Sequence, residues 1–273
     1  MKPRAVVVVV AALLLTLGCQ SAAGPEPVVV VVAGSSTIQP LLDIAAPLFE
    51  REHPGARVEV QGGGSSVGIS AVRAGLAQIG MVSRALKPDE QDLTATLIGR
   101  DGIALVVHKD NPIAGLNSAD VVKIYSGELT SWRELGGRDA PITVINKEEG
   151  RSTLELFEKH FDLKGRFVKN AVIIGPNGQA IATVAGNVDA IAYVSIGSAT
   201  VAAASGSAIR LLPLDGVDAS VDNVRKGSYG LVRDLTLSSR GAQGEAKALL
   251  EFMTGPVGKK IVVDEGFVTL DAG

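Results

Sequence analysis

Strand-like and helix-like segments alternate along this chain from residue 28 onward, and this alternation restricts the possible fold more than any other feature. Helical periodicity separates several of the apolar runs, as in LLDIAAPLFEREH, which ends at His53. Such alternation is typical of α/β folds with mostly parallel sheets, and we predict that fold class here. The apolar runs typical of buried strands are VVVVVAG (28–34), ARVEVQ (56–61), AQIGMVS (77–83), GIALVVHK (102–109), PITVINK (141–147) and AIAYVS (190–195).

Small polar residues follow four of the predicted strands. In open α/β sheets, ligands bind at the edge formed by the carboxyl ends of the strands. Hydroxyl and backbone N–H groups from several loops at that edge would surround a small anion. Helix capping explains each loop taken alone, but it explains the whole set less well. The four loops are Ser35-Ser36-Thr37, Gly64-Ser65-Ser66, Ser83-Arg84 and Arg151-Ser152-Thr153.

The stretch KEEGRSTLELFEKHF (147–161) contains the last of these loops and a predicted helix start. Leu154, Phe157 and Phe161 recur at helical spacing, so Ser152 or Thr153 falls in the first turn. A helix start leaves backbone N–H groups without partners and carries a partial positive charge. Hydroxyls and a guanidinium at such a point can bind an anion, although a plain N-cap is the simpler alternative.

The composition excludes several kinds of partner. With 273 residues and 46% hydrophobic content, the chain can bury the core of one or two domains. Its formal charge is -3 and it has no long basic run, which excludes nucleic acid as a partner. No spacing of His, Cys and carboxylate residues is typical of a metal site, and we expect no cofactor.

The N-terminus is typical of a bacterial lipoprotein signal. Lys2 and Arg4 precede an apolar run that ends at Leu17-Gly18-Cys19 and is too short to span a bilayer comfortably. We predict a signal peptide over 1–18, lipidation of Cys19 and a flexible tether over 19–26. The protein would then lie in the periplasm or at the cell surface, attached to the membrane by a lipid anchor. An ordinary signal peptide with an incidental cysteine is the alternative.

A serine hydrolase is the alternative from another functional class. Gly64-Ser65-Ser66-Val67-Gly68 matches G-x-S-x-G between a predicted strand and helix, which would make Ser66 the nucleophile. The triad also needs a histidine, and the chain has only His53, His108 and His160. His53 precedes Ser66, which is the wrong order for this hydrolase class. His108 follows a strand near a predicted crossover, and His160 lies late in a predicted helix, where its role is to interact with the C-terminal dipole. We therefore expect a binding protein and not an enzyme.

Long segments resemble the phosphate-binding proteins of bacterial phosphate ABC transporters, which are periplasmic-binding proteins of type II. The resemblance implies an α/β fold of two lobes joined by two crossing strands, with phosphate held between them and passed to the permease subunits of an ABC importer. The segments that carry it, in order, are AGSSTIQPLLDIAAPLFEREHPGARVEVQGGGSSVGIS, IGMVSRALK, GIALVVHKDNP, VVKIYSGELTSWRELGG and AIAYVSIGS.

The same resemblance implies lobe boundaries and ligand contacts. The first lobe would comprise 27–107 and 229–273, and the second 108–228, in a protein that we expect to be a monomer. The residues implied to bind inorganic phosphate are Ser36, Thr37, Ser65, Ser66, Ser83, Arg84, Arg151, Ser152 and Thr153.

This chain departs from the family pattern at two positions of the implied site. Lys147 stands where many relatives have arginine, and we expect Arg151 to supply the ligand-binding cation instead. If Arg84 faces Arg151 across the cleft, the two residues supply two positive charges against a doubly charged phosphate. Ser83 stands where part of the family has an aspartate that accepts the proton of hydrogen phosphate. Another oxyanion, such as sulfate or molybdate, is therefore an alternative ligand. A site with cations and without a proton-accepting aspartate should bind phosphate better as pH rises through the second ionisation of phosphate.

Overall fold

The computed structural model of the protein describes residues 26–270, in which nine strands alternate with nine α-helices. The predicted signal peptide and Cys19 lie outside these residues. The strands are β1 (Val28–Gly34), β2 (Ala56–Gly62), β3 (Ile79–Val82), β4 (Thr94–His108), β5 (Thr143–Lys147), β6 (Val172–Ile174), β7 (Ala190–Ser195), β8 (Ile209–Leu212) and β9 (Val232–Ser239). The helices are α1 (Gln39–Glu52), α2 (Ser65–Arg73), α3 (Ser118–Ser126), α4 (Ser152–Phe161), α5 (Asn177–Ala185), α6 (Ile196–Ala204), α7 (Val221–Arg225), α8 (Gly244–Thr254) and α9 (Pro256–Asp264).

The first lobe is built on strands β1, β2, β3 and β9 and the first half of β4. Strand β1 pairs in parallel with β2 and β3, whereas β9 runs antiparallel to both β3 and β4. Helices α1, α8 and α9 pack on this sheet around buried residues such as Val32, Phe49 and Leu237. The parallel strands β1, β2 and β3 therefore direct their carboxyl ends to one edge, as predicted for the loops that follow them.

The second lobe is built on the second half of β4 together with β5, β6, β7 and β8. Strand β7 pairs antiparallel to β4 and parallel to β5, and β5 pairs in parallel with β6. Its core is aromatic: the rings of Phe157 and Tyr193 stack with centroids 3.8 Å apart, and Tyr125 contacts both. This packing fixes helix α4 against the sheet, so the start of α4 lies at the carboxyl end of β5.

Strands β4 and β9 connect the two lobes. Residues 94–102 of β4 pair with β9, and residues 103–107 pair with β7 and lie in the core of the second lobe. Tyr229 and Leu231 belong to the same core. We therefore propose that the chain crosses between the lobes near Gly102 and Val232. This proposal moves residues 103–107 and 229–231, which the predicted boundaries assign to the first lobe, to the second. The apolar run GIALVVHK does not itself indicate which sheet each half of the strand joins.

The strand and the helix predicted on either side of residues 148–151 are both confirmed. Strand β5 ends at Lys147, and helix α4 begins at Ser152. Among residues 26–270, no helix combines the length and the apolar character that a membrane crossing requires.

Candidate functional site

Loops from both lobes meet around one small cavity. The carboxyl ends of β1, β2 and β3 contribute its first-lobe wall, and the start of α4 and the residue after β6 contribute its second-lobe wall. Seven of the nine predicted ligand-binding residues line it; Ser66 and Arg84 do not. The lining residues are Ser35, Ser36, Thr37, Gly64, Ser65, Ser83, Arg151, Ser152, Thr153 and Gly175.

The lobes are in contact around this cavity. The hydroxyl of Ser152 donates to that of Ser65, and Asn177 Nδ2 donates to Thr37 Oγ1 at 3.0 Å. Gly64 has φ of +99°, and a side chain there would begin 2.9 Å from the carbonyl oxygen of Gly150. Glycine at this position therefore permits the close approach of the lobes.

Three helices, α1, α2 and α4, begin at the cavity, and none of them has a side-chain cap. The capping explanation required the Ser and Thr hydroxyls to bond the first-turn N–H groups. Instead, Ser65 begins α2, Ser152 and Thr153 form the first two positions of α4, and these hydroxyls line the cavity. The partial positive charge at these helix starts favours an anion in the cavity.

Arg151 has donor groups that no atom of residues 26–270 satisfies. Its Nη2 donates to Glu148 Oε2 at 2.9 Å, whereas its Nε and Nη1 are buried without a hydrogen-bond partner. The side chain is only 11% exposed and lines the cavity. Burying an unpaired charged donor is costly, so this guanidinium is best explained by an anionic ligand that accepts its free N–H groups.

Arg233 is a central residue of the site that the sequence analysis missed. It lies on β9, where its guanidinium binds Asp101 of β4 at 2.8 Å, and both side chains are 1% exposed. The same guanidinium donates to hydroxyl oxygens of both lobes: those of Thr37 (2.9 Å), Thr153 (2.9 Å) and Ser83 (3.4 Å). Arg233 therefore holds three lining hydroxyls in place from the crossing strands.

Lys147 is a third buried cation beside the cavity. Its Nζ lies 3.4 Å from the carbonyl oxygen of Gly175 and 3.3 Å from that of Pro176, and it forms no ion pair with any residue in 26–270. Burial, reinforced by the positive charges of Arg151 and Arg233, lowers the pKa of Lys147 to about 7. The charge state of this amine therefore changes near neutral pH.

Arg84 does not line the cavity and does not face Arg151 across it. Its Nη1 and Nη2 donate to Glu90 at 2.6 and 2.8 Å, and its Nε lies 3.1 Å from Glu155 Oε2. Two carboxylates thus hold this guanidinium outside the cavity. The pattern Ser83-Arg84 does not indicate this, because it includes neither Glu90 nor Glu155, which comes from the other lobe.

Ser66 also lies outside the cavity, and no histidine accompanies it. Its hydroxyl lies 3.5 Å from Glu155 Oε1. His53 pairs with Glu245, His108 lies beside Asp110, and His160 packs against Phe161. Because all three histidines are held elsewhere, the geometry gives no support to a hydrolase triad at Ser66.

Two lobes joined by crossing strands, with a donor-lined cavity between them, define a binding protein that encloses a small ligand. Comparisons with known proteins agree with this class: residues 21–257 match the family model of the PBP superfamily domain. The chain belongs to the PBP superfamily.

Its relatives are named for phosphate. The chain is 29% identical to the phosphate-binding protein PstS of Bacillus subtilis over 243 residues, which are 87% of this chain and 79% of the relative. The chain is also similar to a phosphate ABC transporter substrate-binding protein from Clostridium perfringens that was solved with bound phosphate. The two are 31% identical with a TM-score of 0.84, and the match covers 89% of this chain and 100% of the other. A phosphate transport receptor from Vibrio cholerae is 28% identical, with a TM-score of 0.68 and coverages of 89% and 100%.

Proposed function

We propose that this protein captures inorganic phosphate in the cavity between its lobes and passes it to the permease subunits of an ABC importer, without catalysing a reaction. The pair of buried, unpartnered N–H groups of Arg151 is the observation that carries this proposal. The names of the relatives supply the particular anion and the transport context.

Two kinds of residue would act in this capture. Donors that line the cavity would contact the anion: the hydroxyls of both lobes, the first-turn N–H groups of α4, and Arg151. Arg233 would hold the hydroxyls of Thr37, Ser83 and Thr153 in position. The proposed ligand-binding set is Ser36, Thr37, Ser65, Ser83, Arg151, Ser152 and Thr153.

Another tetrahedral oxyanion is the second candidate ligand, and one observation favours keeping it. No carboxylate is among the described residues that line the cavity, so none there can accept the proton of hydrogen phosphate. Hydroxyl and N–H donors would also suit sulfate or molybdate.

Calorimetric titration of the protein with phosphate, arsenate, sulfate and molybdate tests the choice between these ligands. We expect saturable binding of one phosphate, and weaker binding of sulfate and molybdate. The absence of saturable phosphate binding would refute the proposed function. Tighter binding of sulfate or molybdate than of phosphate would make the alternative ligand the correct one.

We also propose that the protein is a monomer that acts outside the cytoplasm, in the periplasm or at the cell surface, where a lipid on Cys19 anchors it to the membrane. This proposal depends on the signal-like residues 1–18, which lie outside the described part of the chain.

Replacing Cys19 by alanine should move the protein from the detergent phase to the aqueous phase in detergent partition of producing cells, because the anchored lipid is lost. Ser21→Ala, two residues away, is the matched control and should leave the partition unchanged. If Cys19→Ala and the unsubstituted protein partition alike, the lipid anchor is wrong.

A further inference from the structure

Glu155 connects the two lobes at a point that the cavity does not include. It lies in the first turn of α4 in the second lobe, and its carboxylate reaches two cations of the first lobe. Oε2 forms an ion pair with Arg84 Nε at 3.1 Å without hydrogen-bond geometry, and Oε1 accepts a hydrogen bond from Lys87 Nζ at 3.1 Å. Oε1 also lies 3.5 Å from the hydroxyl of Ser66.

The first-lobe side of this contact is held rigidly by Glu90. The Glu90 carboxylate accepts two hydrogen bonds from Arg84 and one from the backbone N–H of Lys87 at 2.8 Å. Arg84 therefore keeps a carboxylate partner even when the lobes separate. Opening would cost the contacts of Glu155 but would not leave a buried guanidinium unpaired.

The environment makes this contact stronger than an ordinary surface ion pair. The Arg84 side chain is 9% exposed and that of Glu155 is 27% exposed, so water screens their attraction only in part. Lys87, at 44% exposed, adds a second positive charge on the outer side. The ion pair forms only when α4 approaches the first lobe, which is the same approach that closes the cavity.

We propose that Glu155 is a positioning residue for ligand capture: it holds the lobes closed over the bound anion through Arg84 and Lys87 without contacting the anion itself. This inference rests on the proposed function for its link to phosphate. An interaction present only in the closed state adds to ligand affinity by shifting the population of that state. Since the ligand enters the open state, the contact should slow release much more than it speeds capture.

The kinetic test compares Glu155→Gln, which keeps the size of the side chain and removes its charge, with the unsubstituted protein. We expect phosphate release in stopped-flow measurements to become about tenfold faster, with the association rate changed by less than about twofold. Glu158→Gln is the matched control on the same helix and should leave both rates unchanged. Equal release rates for Glu155→Gln and the unsubstituted protein would overturn the proposal.

A double-mutant cycle separates a contact across the cleft from a local effect on α4. Lys87→Met should speed release by a smaller factor, because Arg84 remains bound to Glu155. The effects of Lys87→Met and Glu155→Gln should not multiply in the double variant, since both remove one shared contact. If the two increases in release rate multiply in the double variant, Glu155 acts independently of Lys87, and the proposed contact between these two residues is rejected.

A ligand-free measurement distinguishes failure of this inference from failure of the proposed function. The native cysteine is removed by Cys19→Ser, and two new cysteines are introduced at exposed positions, Leu76→Cys in the first lobe and Lys164→Cys in the second. A fluorophore is attached to each new cysteine, and the distance between the two fluorophores is measured. Glu155→Gln should broaden the distance distribution towards larger separations even without phosphate. If the distances increase in this way but the protein binds no phosphate, the interlobe contact of Glu155 is supported and only the proposed phosphate ligand is refuted. An unchanged distribution would refute the contact itself.

Discussion

Replacing Arg151 by alanine is expected to weaken phosphate binding by about tenfold to a hundredfold or more. The buried Nε and Nη1 groups of Arg151 have no hydrogen-bond partner in the described part of the chain, so the anion is their expected acceptor. A charge-assisted hydrogen bond contributes roughly 1.5 to 3 kcal/mol, and about 1.4 kcal/mol corresponds to a factor of ten in affinity. The measurement is calorimetric titration with phosphate at neutral pH.

Three further arginine and lysine variants make this result specific. Arg133→Ala removes an exposed arginine far from the cavity and should bind normally. Arg84→Ala should act through release, because Arg84 contacts Glu155 and not the cavity. If Lys147→Ala weakens binding and Arg151→Ala does not, the assignment of the ligand-binding cation is wrong.

A substitution that leaves Arg151 in place should nevertheless disturb it. A methyl group on Gly175 would overlap both Arg151 Nη2 and Glu148 Oε2, so Gly175→Ala should displace their ion pair. We expect weaker phosphate binding with little change in the free energy of unfolding, because the displaced atoms are the ends of flexible side chains. Gly178→Ala, whose methyl group meets no atom within 4 Å, is the matched control.

The second large effect concerns pH and Lys147. Burial and two neighbouring arginines lower the pKa of this amine to about 7 in the ligand-free protein. A bound dianion favours the charged ammonium and so raises that pKa. Above about pH 7, binding must therefore take up a proton, and affinity should fall by up to about tenfold per pH unit.

This effect opposes the pH dependence that phosphate alone would impose. Phosphate affinity should rise with pH through the second ionisation of phosphate and then fall above it, as Lys147 loses its proton. Sulfate, whose charge is constant in this range, should show only the fall. The groups that face Lys147 are Arg151 and Arg233, which disfavour its charge, and Glu148, which favours it.

Calorimetric titration at about pH 8.5, in two buffers of different ionisation enthalpy, measures the proton uptake directly. We expect close to one proton per anion for the unsubstituted protein and almost none for Lys147→Met. Lys123→Met, on the exposed side of the second lobe, should behave like the unsubstituted protein. The same proton uptake in Lys147→Met would show that another group titrates.

Local pattern was enough to predict most of the wall of the cavity. Strand β1 matches its predicted range of 28–34, and helix α4 begins at Ser152 within the predicted stretch. Seven predicted residues line one cavity because each follows a strand, and parallel strands bring their carboxyl ends to the same edge. The first half of β4 was missed, since TATLIGRDG contains two glycines and charged residues and has no continuous apolar run.

What the chain determines by itself is therefore the order of its strands and helices and the hydroxyl-rich loops between them, because short-range periodicity and turn chemistry specify both. Only the tertiary structure decides which charges meet. Arg233 enters the site because β9 crosses between the lobes beside Asp101, a contact that joins residues 132 positions apart. Arg84 is held outside the cavity by Glu90 of its own lobe and by Glu155 of the opposite lobe. Lys147 has its low pKa because folding buries it beside Arg151 and Arg233. Electrostatic effects of this kind depend on distance and burial in space, and no spacing along the chain encodes either.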